Sequence, residues 1–255
     1  MTDTHPRQTA GTRSATPDTT AVLGALYRLL LRNVATRGRV VAVGALSALS
    51  VFTAVAVHAG QPEDPARSAL DFVNGNITTL VPIGVLVFGA ATIGDLIDDG
   101  SVVYLWLRPI PTRLAVLAAW AATVTIALPL VGLPILLSAA IIEPDGSIIA
   151  ATATSLAVGI AAYSAIFVTA GIRFKRALPW GLAYILIWEG FVASAGETAA
   201  KLAVRSYLRS ILSNFTGVEL KLASYPMGAA ILVPLAVTVV ALAYASWRLG
   251  RTDVA

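Results

Sequence analysis

The chain has 255 residues, of which 57% are hydrophobic and 13% charged, with a formal net charge of +4 and no cysteine; the mean hydropathy is +0.79. Soluble domains carry about 25% charged residues. The deficit, with apolar residues in blocks of span length, marks an integral membrane protein and leaves no room for a soluble domain with its own core. Disulfides and thiolate metal sites are excluded, and the positive charge reports topology rather than nucleic-acid binding.

Residues 1–19, "MTDTHPRQTAGTRSATPDT", are polar and lack an apolar h-region, so they read as a disordered cytoplasmic tail and not a cleaved signal. Residues 20–38 have helical period. Leu23, Leu26, Leu30 and Val34 fall on one side and Arg28, Arg32 and Arg39 near another, as in a basic helix lying in the headgroup plane. The first span is 40–59. "GQPEDPARSALDFVNGN" has two prolines and four charges and reads as a loop. The second span is 77–94, whose eighteen residues rise ~27 Å. The third, 114–142, contains Pro129 and Pro134 and is tilted or kinked. "EPDGS" is a turn; the fourth span follows at 148–170, a basic loop "GIRFKR" at 171–176, and the fifth span at 178–195. Residues 196–225 are polar but periodic, and the sixth span is 227–247. Residues 20–255 thus form one all-α, six-span integral membrane domain.

Arg and Lys are unevenly shared between the two sides. Arg7, Arg13, Arg28, Arg32, Arg37, Arg39, Arg108, Arg113, Arg173, Lys175, Arg176, Arg248 and Arg251 fall on one, and Arg67, Lys201, Arg205, Arg209 and Lys221 on the other. The first side is expected to be cytoplasmic, with both termini inside. The segment between spans two and three, "GDLIDDGSVVYLWLRPIPTRL", is then cytoplasmic too. Asp98 or Asp99 can cap a helix start, and Gly100 turns the chain as it leaves the span. Val103, Trp106 and Leu107, with Tyr104 beside them, make a short apolar face, and Pro109 ends the helix by biasing Arg108 away from helical angles. Such a helix serves either as a loop anchor at the interface or as an aromatic-bearing grip for a protein partner.

Glu189 lies about eleven residues into the fifth span, beside Trp188. A carboxylate there must be paired or wet, so it lines a pathway, ties spans together or reaches the outer headgroups. Glu197, Lys201, Arg205 and Arg209 step by four, with Val204, Leu208, Ile211 and Phe215 on another face. That pattern predicts an amphipathic helix on the outer surface, either a solvated charge stripe or a gate over an exit. His5 and His58 have no partners at metal-ligand spacing, and no nucleophile–base pair stands out, so neither a metal nor a catalytic residue is expected.

The segment from Gly94 to Trp120 resembles the cytoplasmic stretch between the second and third spans of type 2 ABC-transporter permeases. There an acidic residue precedes a Gly-Thr pair, and an apolar helix leads to a Leu-x-x-Pro-like ending and a basic residue. Asp95 or Asp98, Gly100-Ser101, Leu107-Arg108-Pro109 and Arg113 take these places, with Ser for Thr and Asp for the more usual Glu as departures. "LAYILIWEGFVASAGETAAKLAVRSYLRS" is similar to the Trp-Glu motif of bacterial members, with its external helical region.

The resemblance implies a six-span permease whose 98–109 segment is the coupling helix, with Asp95, Asp98, Asp99, Gly100, Ser101, Val103, Tyr104, Trp106, Leu107, Arg108 and Pro109 meeting an ATPase. It also implies two ATPase subunits holding ATP and Mg, a second permease chain, surrounding lipids and an exporter in a bacterial or archaeal plasma membrane. No G-x-x-x-x-G-K-[ST] occurs, so this chain carries no P-loop and no cofactor of its own. A self-contained carrier or channel, or a membrane anchor or assembly protein, is the alternative.

Overall fold

The computed structural model describes residues 19–100, 111–191, 196–220 and 225–251. All regular structure among the described residues is helical: α1 Thr19–Val34, α2 Arg37–Ala59, α3 Pro65–Thr78, α4 Leu80–Asp98, α5 Thr112–Ala127, a π-helical turn Leu128–Gly132, α6 Leu133–Ile142, α7 Gly146–Arg173, α8 Ala177–Ala183, a π-helical segment Tyr184–Phe191, α9 Glu197–Ala200, α10 Val204–Thr216 and α11 Met227–Leu249. Five stretches are long and apolar enough to cross a membrane: Arg37–Ala59, Pro65–Asp98, Thr112–Ile142, Gly146–Arg173 and Met227–Leu249. They overlap the first, second, third, fourth and sixth spans predicted from sequence, the second beginning at Pro65 rather than 77. The described part of the predicted fifth span, up to residue 191, does not qualify. Its seven α-helical and eight π-helical residues rise about 22 Å at most, short of a hydrocarbon core of about 30 Å.

The ends of the helices sort into two groups. At one end, here called proximal, Arg39 at the start of α2 pairs with Asp95 near the end of α4. Asp98, the last residue of α4, accepts from the Arg176 backbone N–H just after α7. Thr112, opening α5, donates to the Ser246 carbonyl near the end of α11. So α4, α7 and α11 run toward the proximal end, and α2 and α5–α6 run away from it.

The apolar windows of α3–α4 and α7 are each 72% buried, against 22% for α2 and 17% for α11. The first two form the centre, and the latter two present wide apolar faces outward, among them Phe52 and Leu49 on α2 and Leu232, Val239 and Val240 on α11. The centre is tight because glycines let backbones meet. A Cβ at Gly94 would lie 3.3 Å from Gly171 Cα, and one at Gly171 would strike the Ala90 carbonyl. Phe88, Tyr163 and Phe167 fill the space above this crossing, the last two stacked with centroids 5.9 Å apart.

Three features depart from the sequence reading, and a fourth, the kink in the third span, gains a physical form. The interfacial helix ends at Val34, and its face of Leu26, Leu30 and Val34 is buried against protein, chiefly α5, whose Ala115, Ala118, Ala119 and Ala122 share its cluster. Residues 65–76, within the segment 60–76 read as a loop, belong to helix α3. Asp64 accepts from the Arg67 N–H at 2.9 Å with Pro65 at the first helical position, and Ala69, Leu70, Val73 and Ile77 are buried; the proline and charge that suggested a loop are a start signal. The kink expected in the third span is a π-turn holding Pro129, with Pro134 just beyond it. Finally, α10 is no surface shelf: residues 203–208 and 210–212 are all buried, and the helix packs between α7 and α11. Leu208 fits the gap left by Gly159, and the Ser155 hydroxyl donates to the Leu208 carbonyl at 3.3 Å.

Candidate functional site

Two places gather the residues singled out in the sequence. The first is the proximal exit of α4. The helix runs one turn past the expected end at Gly94, so Asp98 is its last residue and Asp99 its C-cap. The helix start that Asp98 or Asp99 is expected to cap lies outside the described residues. Within them, Asp95 and Asp98 fasten α4. The Asp95 carboxylate takes an Arg39 guanidinium N–H at 2.6 Å, and Asp98 takes the Arg176 N–H at 3.2 Å. Arg176 sits at φ 52°, a left-handed angle unusual for a side-chain-bearing residue. The Asp98 bond and the start of α8 hold it there. Gly100 is at φ 71°, so the turn out of α4 uses a conformation that glycine adopts without strain. Ser101, Val103, Tyr104, Trp106, Leu107, Arg108 and Pro109 lie outside the described residues.

The second place surrounds Glu189, near the end of the second π-helical segment. Its side chain is 1% exposed. One carboxylate oxygen accepts from the Tyr184 hydroxyl at 2.9 Å and the Val204 N–H at 3.1 Å, and the other from the Arg205 N–H at 3.3 Å. Val204 and Arg205 open α10, so the carboxylate satisfies two amides that a helix start leaves without partners and meets the positive end of its dipole. From α7, the buried Tyr163 hydroxyl lies near the same carboxylate without hydrogen-bonding to it. The Arg205 guanidinium donates to the Gly190 carbonyl at 3.3 Å, and the Trp188 indole N–H to the Leu202 carbonyl at 3.4 Å. One turn further along α10, Arg209 donates to Asn74 of α3 at 2.8 Å. Of the readings open for Glu189, the contacts support a tie between segments.

Tyr163, Tyr184 and Asn74 escape the sequence reading, which leaves Arg205 and Arg209 on either a solvated charge stripe or a gate over an exit. A signal was present: Ser206 and Ser210 follow the two arginines on α10, small residues that let a helix face pack closely. The other end of each contact could not be read, because it lies on another helix.

No family model matches the chain, and no curated protein matches it. Among the described residues no three His, Cys, Asp or Glu side chains come together as a metal site. Glu189 already receives three hydrogen bonds from its own chain, which suits a structural fastening better than a general base.

Proposed function

We propose that the chain is the transmembrane permease subunit of a type 2 ABC exporter, moving an amphiphilic, lipid-like or drug-like cargo with a separate ATPase pair. The observation that carries the reading is the mount of the 101–110 segment. The helix that enters it is fastened to α2 through Asp95 and to the α7–α8 connection through Asp98, and Gly100 directs the chain out of it. A force applied to that segment would act on three helices together, as a lever needs. The resemblance of the segment to a coupling helix and the absence of a P-loop point the same way. The surplus of Arg at the helix ends and loops of the proximal side supports a cytoplasmic orientation for that side and for both termini.

In this mechanism ATP closes the ATPase dimer beneath two permease chains. The coupling segment moves as a rigid piece, and the helices rearrange so that cargo passes outward along apolar walls. Tyr104→Ala and Trp106→Ala are expected to keep membrane insertion but lose ATPase co-purification or cargo-stimulated turnover. Truncating a central aromatic costs about 2 kcal/mol or more, roughly thirtyfold in affinity. Normal binding and transport in both variants would reduce the segment to an anchor. Transport by the chain alone in liposomes would replace the exporter reading with a carrier or channel. A cysteine at Ser101 that reacts with an impermeant reagent from outside intact cells would overturn the orientation.

A further inference from the structure

Because α7 and α11 run in the same direction, the chain must return across the bundle between residues 174 and 226. No single helix among the described residues there is long enough to do so. Using α7 as a ruler locates the pieces. Arg176, just past the end of α7, bonds to the proximal Asp98. Tyr184 packs its ring edge against Phe167, with centroids 6.2 Å apart, and Glu189 lies beside Tyr163. Val204 and Arg205 share the Glu189 carboxylate and so lie at the same height. Leu208 meets Gly159 and Ser155, closer still to the start of α7, and beyond α10 the Glu219 carbonyl accepts from Arg67, near the distal start of α3.

We infer that α8, the second π-helical segment and α10 are two half-helices in series that together make the return crossing, and that Glu189 is the latch joining them. The two halves hold fifteen and thirteen helical residues, matching the 28 residues of α7 beside which they lie. Lys201 and Leu202 in the break are exposed, but the ends that meet at Glu189 and Arg205 are buried, and there each open amide is costly. Glu189, Arg205 and Trp188 therefore bridge it with bonds that a continuous helix would have made internally. This crossing does not depend on the exporter reading. It adds a joint at which the distal half can swing when the latch opens.

The test uses the full cysteine-free chain in membrane vesicles and, for the latch, in lipid nanodiscs. Single cysteines at Lys175 and at Glu219 are expected to react with an impermeant thiol reagent from opposite faces. Reaction of both from the same face would make this region a hairpin and overturn the crossing. For the latch, Glu189→Gln keeps the shape of the side chain but removes its charge. Hydrogen exchange in the peptide covering 202–208 is expected to quicken about tenfold, equivalent to about 1.4 kcal/mol, with exchange in α7 unchanged. Tyr184→Phe leaves both amide bonds in place and is expected to quicken it less than about threefold. Unchanged exchange in Glu189→Gln, or an equal effect from Tyr184→Phe, would overturn the latch.

Discussion

The α4–α7 pair and the α8–α10 region answer the same demand in opposite ways. Each must carry backbone through an apolar layer in which unpaired amides are costly. The α4–α7 pair meets the demand locally. Its helices are uninterrupted, so their backbone bonds are made within each chain segment, and what remains is packing: Gly89 against Phe167 and Gly94 against Gly171. In the α8–α10 region the described helix reaches Phe191, and residues 201–203, just before α10 begins at Val204, are not helical. Side chains must replace the missing bonds, and a carboxylate, a guanidinium and an indole do so within a few residues of one another. The first solution depends on shape and the second on charge and hydrogen bonding. The two should therefore fail differently.

Glu189→Leu should have the largest effect. It leaves the Val204 and Arg205 amides and the Tyr184 hydroxyl without their acceptor and removes the charge facing Arg205, a loss of about 3–5 kcal/mol by analogy with a broken buried pair. Thermal unfolding followed by size-exclusion in detergent should show it directly, with Glu189→Gln retaining more stability while still weakening export. A wild-type melting curve in Glu189→Leu would mean that the latch carries no load.

Gly171→Val comes next. Its side chain would be driven into the Ala90 backbone, where no rotamer change gives relief, and overpacking of this kind costs about 1–3 kcal/mol. Gly38→Val, whose Cβ would meet nothing within 4 Å, is the control for helix propensity. Equal losses in the two variants would contradict the shape argument for the α4–α7 crossing.

Arg39→Ala should be milder for stability. Its pair with Asp95 is partly exposed, and such pairs contribute about 1 kcal/mol or less. Its larger effect is expected on ATP-coupled transport, since the pair ties α2 to the exit of α4. A loss of stability without a loss of coupling would argue against the mount.

The smallest effect concerns pH. Asp145 caps α7 by accepting from the Ser147 hydroxyl and from the Ser147 and Ile148 amides. The Ser147 hydroxyl first, and then the Ile148 amide, hold its pKa below the usual 3.8. With a lower pKa folded than unfolded, the unfolded chain binds more protons, so this contribution is complete above about pH 4. It disappears as pH falls through the lowered folded value. Asp145→Asn should flatten the acid side of the melting-temperature profile below about pH 4 and leave neutral pH nearly unchanged; an unaltered acid limb would remove Asp145 from the account.

Much of this architecture was readable along the chain because its causes are local. Five spans follow from hydropathy and length, and the apolar face of α1, though not the protein that covers it, from the spacing of Leu26, Leu30 and Val34. The turn at Gly100 follows from one residue type in one place. Helix α3 was also locally encoded, through Asp64 and Pro65, but the same residues occur in loops. Only the burial of Leu70, Val73 and Ile77 against neighbouring helices separates the two cases.

The Glu189 site marks the boundary between the two kinds of information. A carboxylate among apolar residues announces that a partner exists, because an unpaired charge in hydrocarbon is too costly to keep. It does not say which partner. That choice joins residues 15 and 16 positions apart in Glu189 with Val204 and Arg205, and 135 apart in Arg209 with Asn74. The same periodicity at Glu197, Lys201, Arg205 and Arg209 describes a solvated stripe or a polar seam equally well. Hydropathy and helical period are sums over neighbours in sequence. Whether a polar face meets water or another helix is decided by what packs on it, here α7 with its gap at Gly159 and α3 with Asn74.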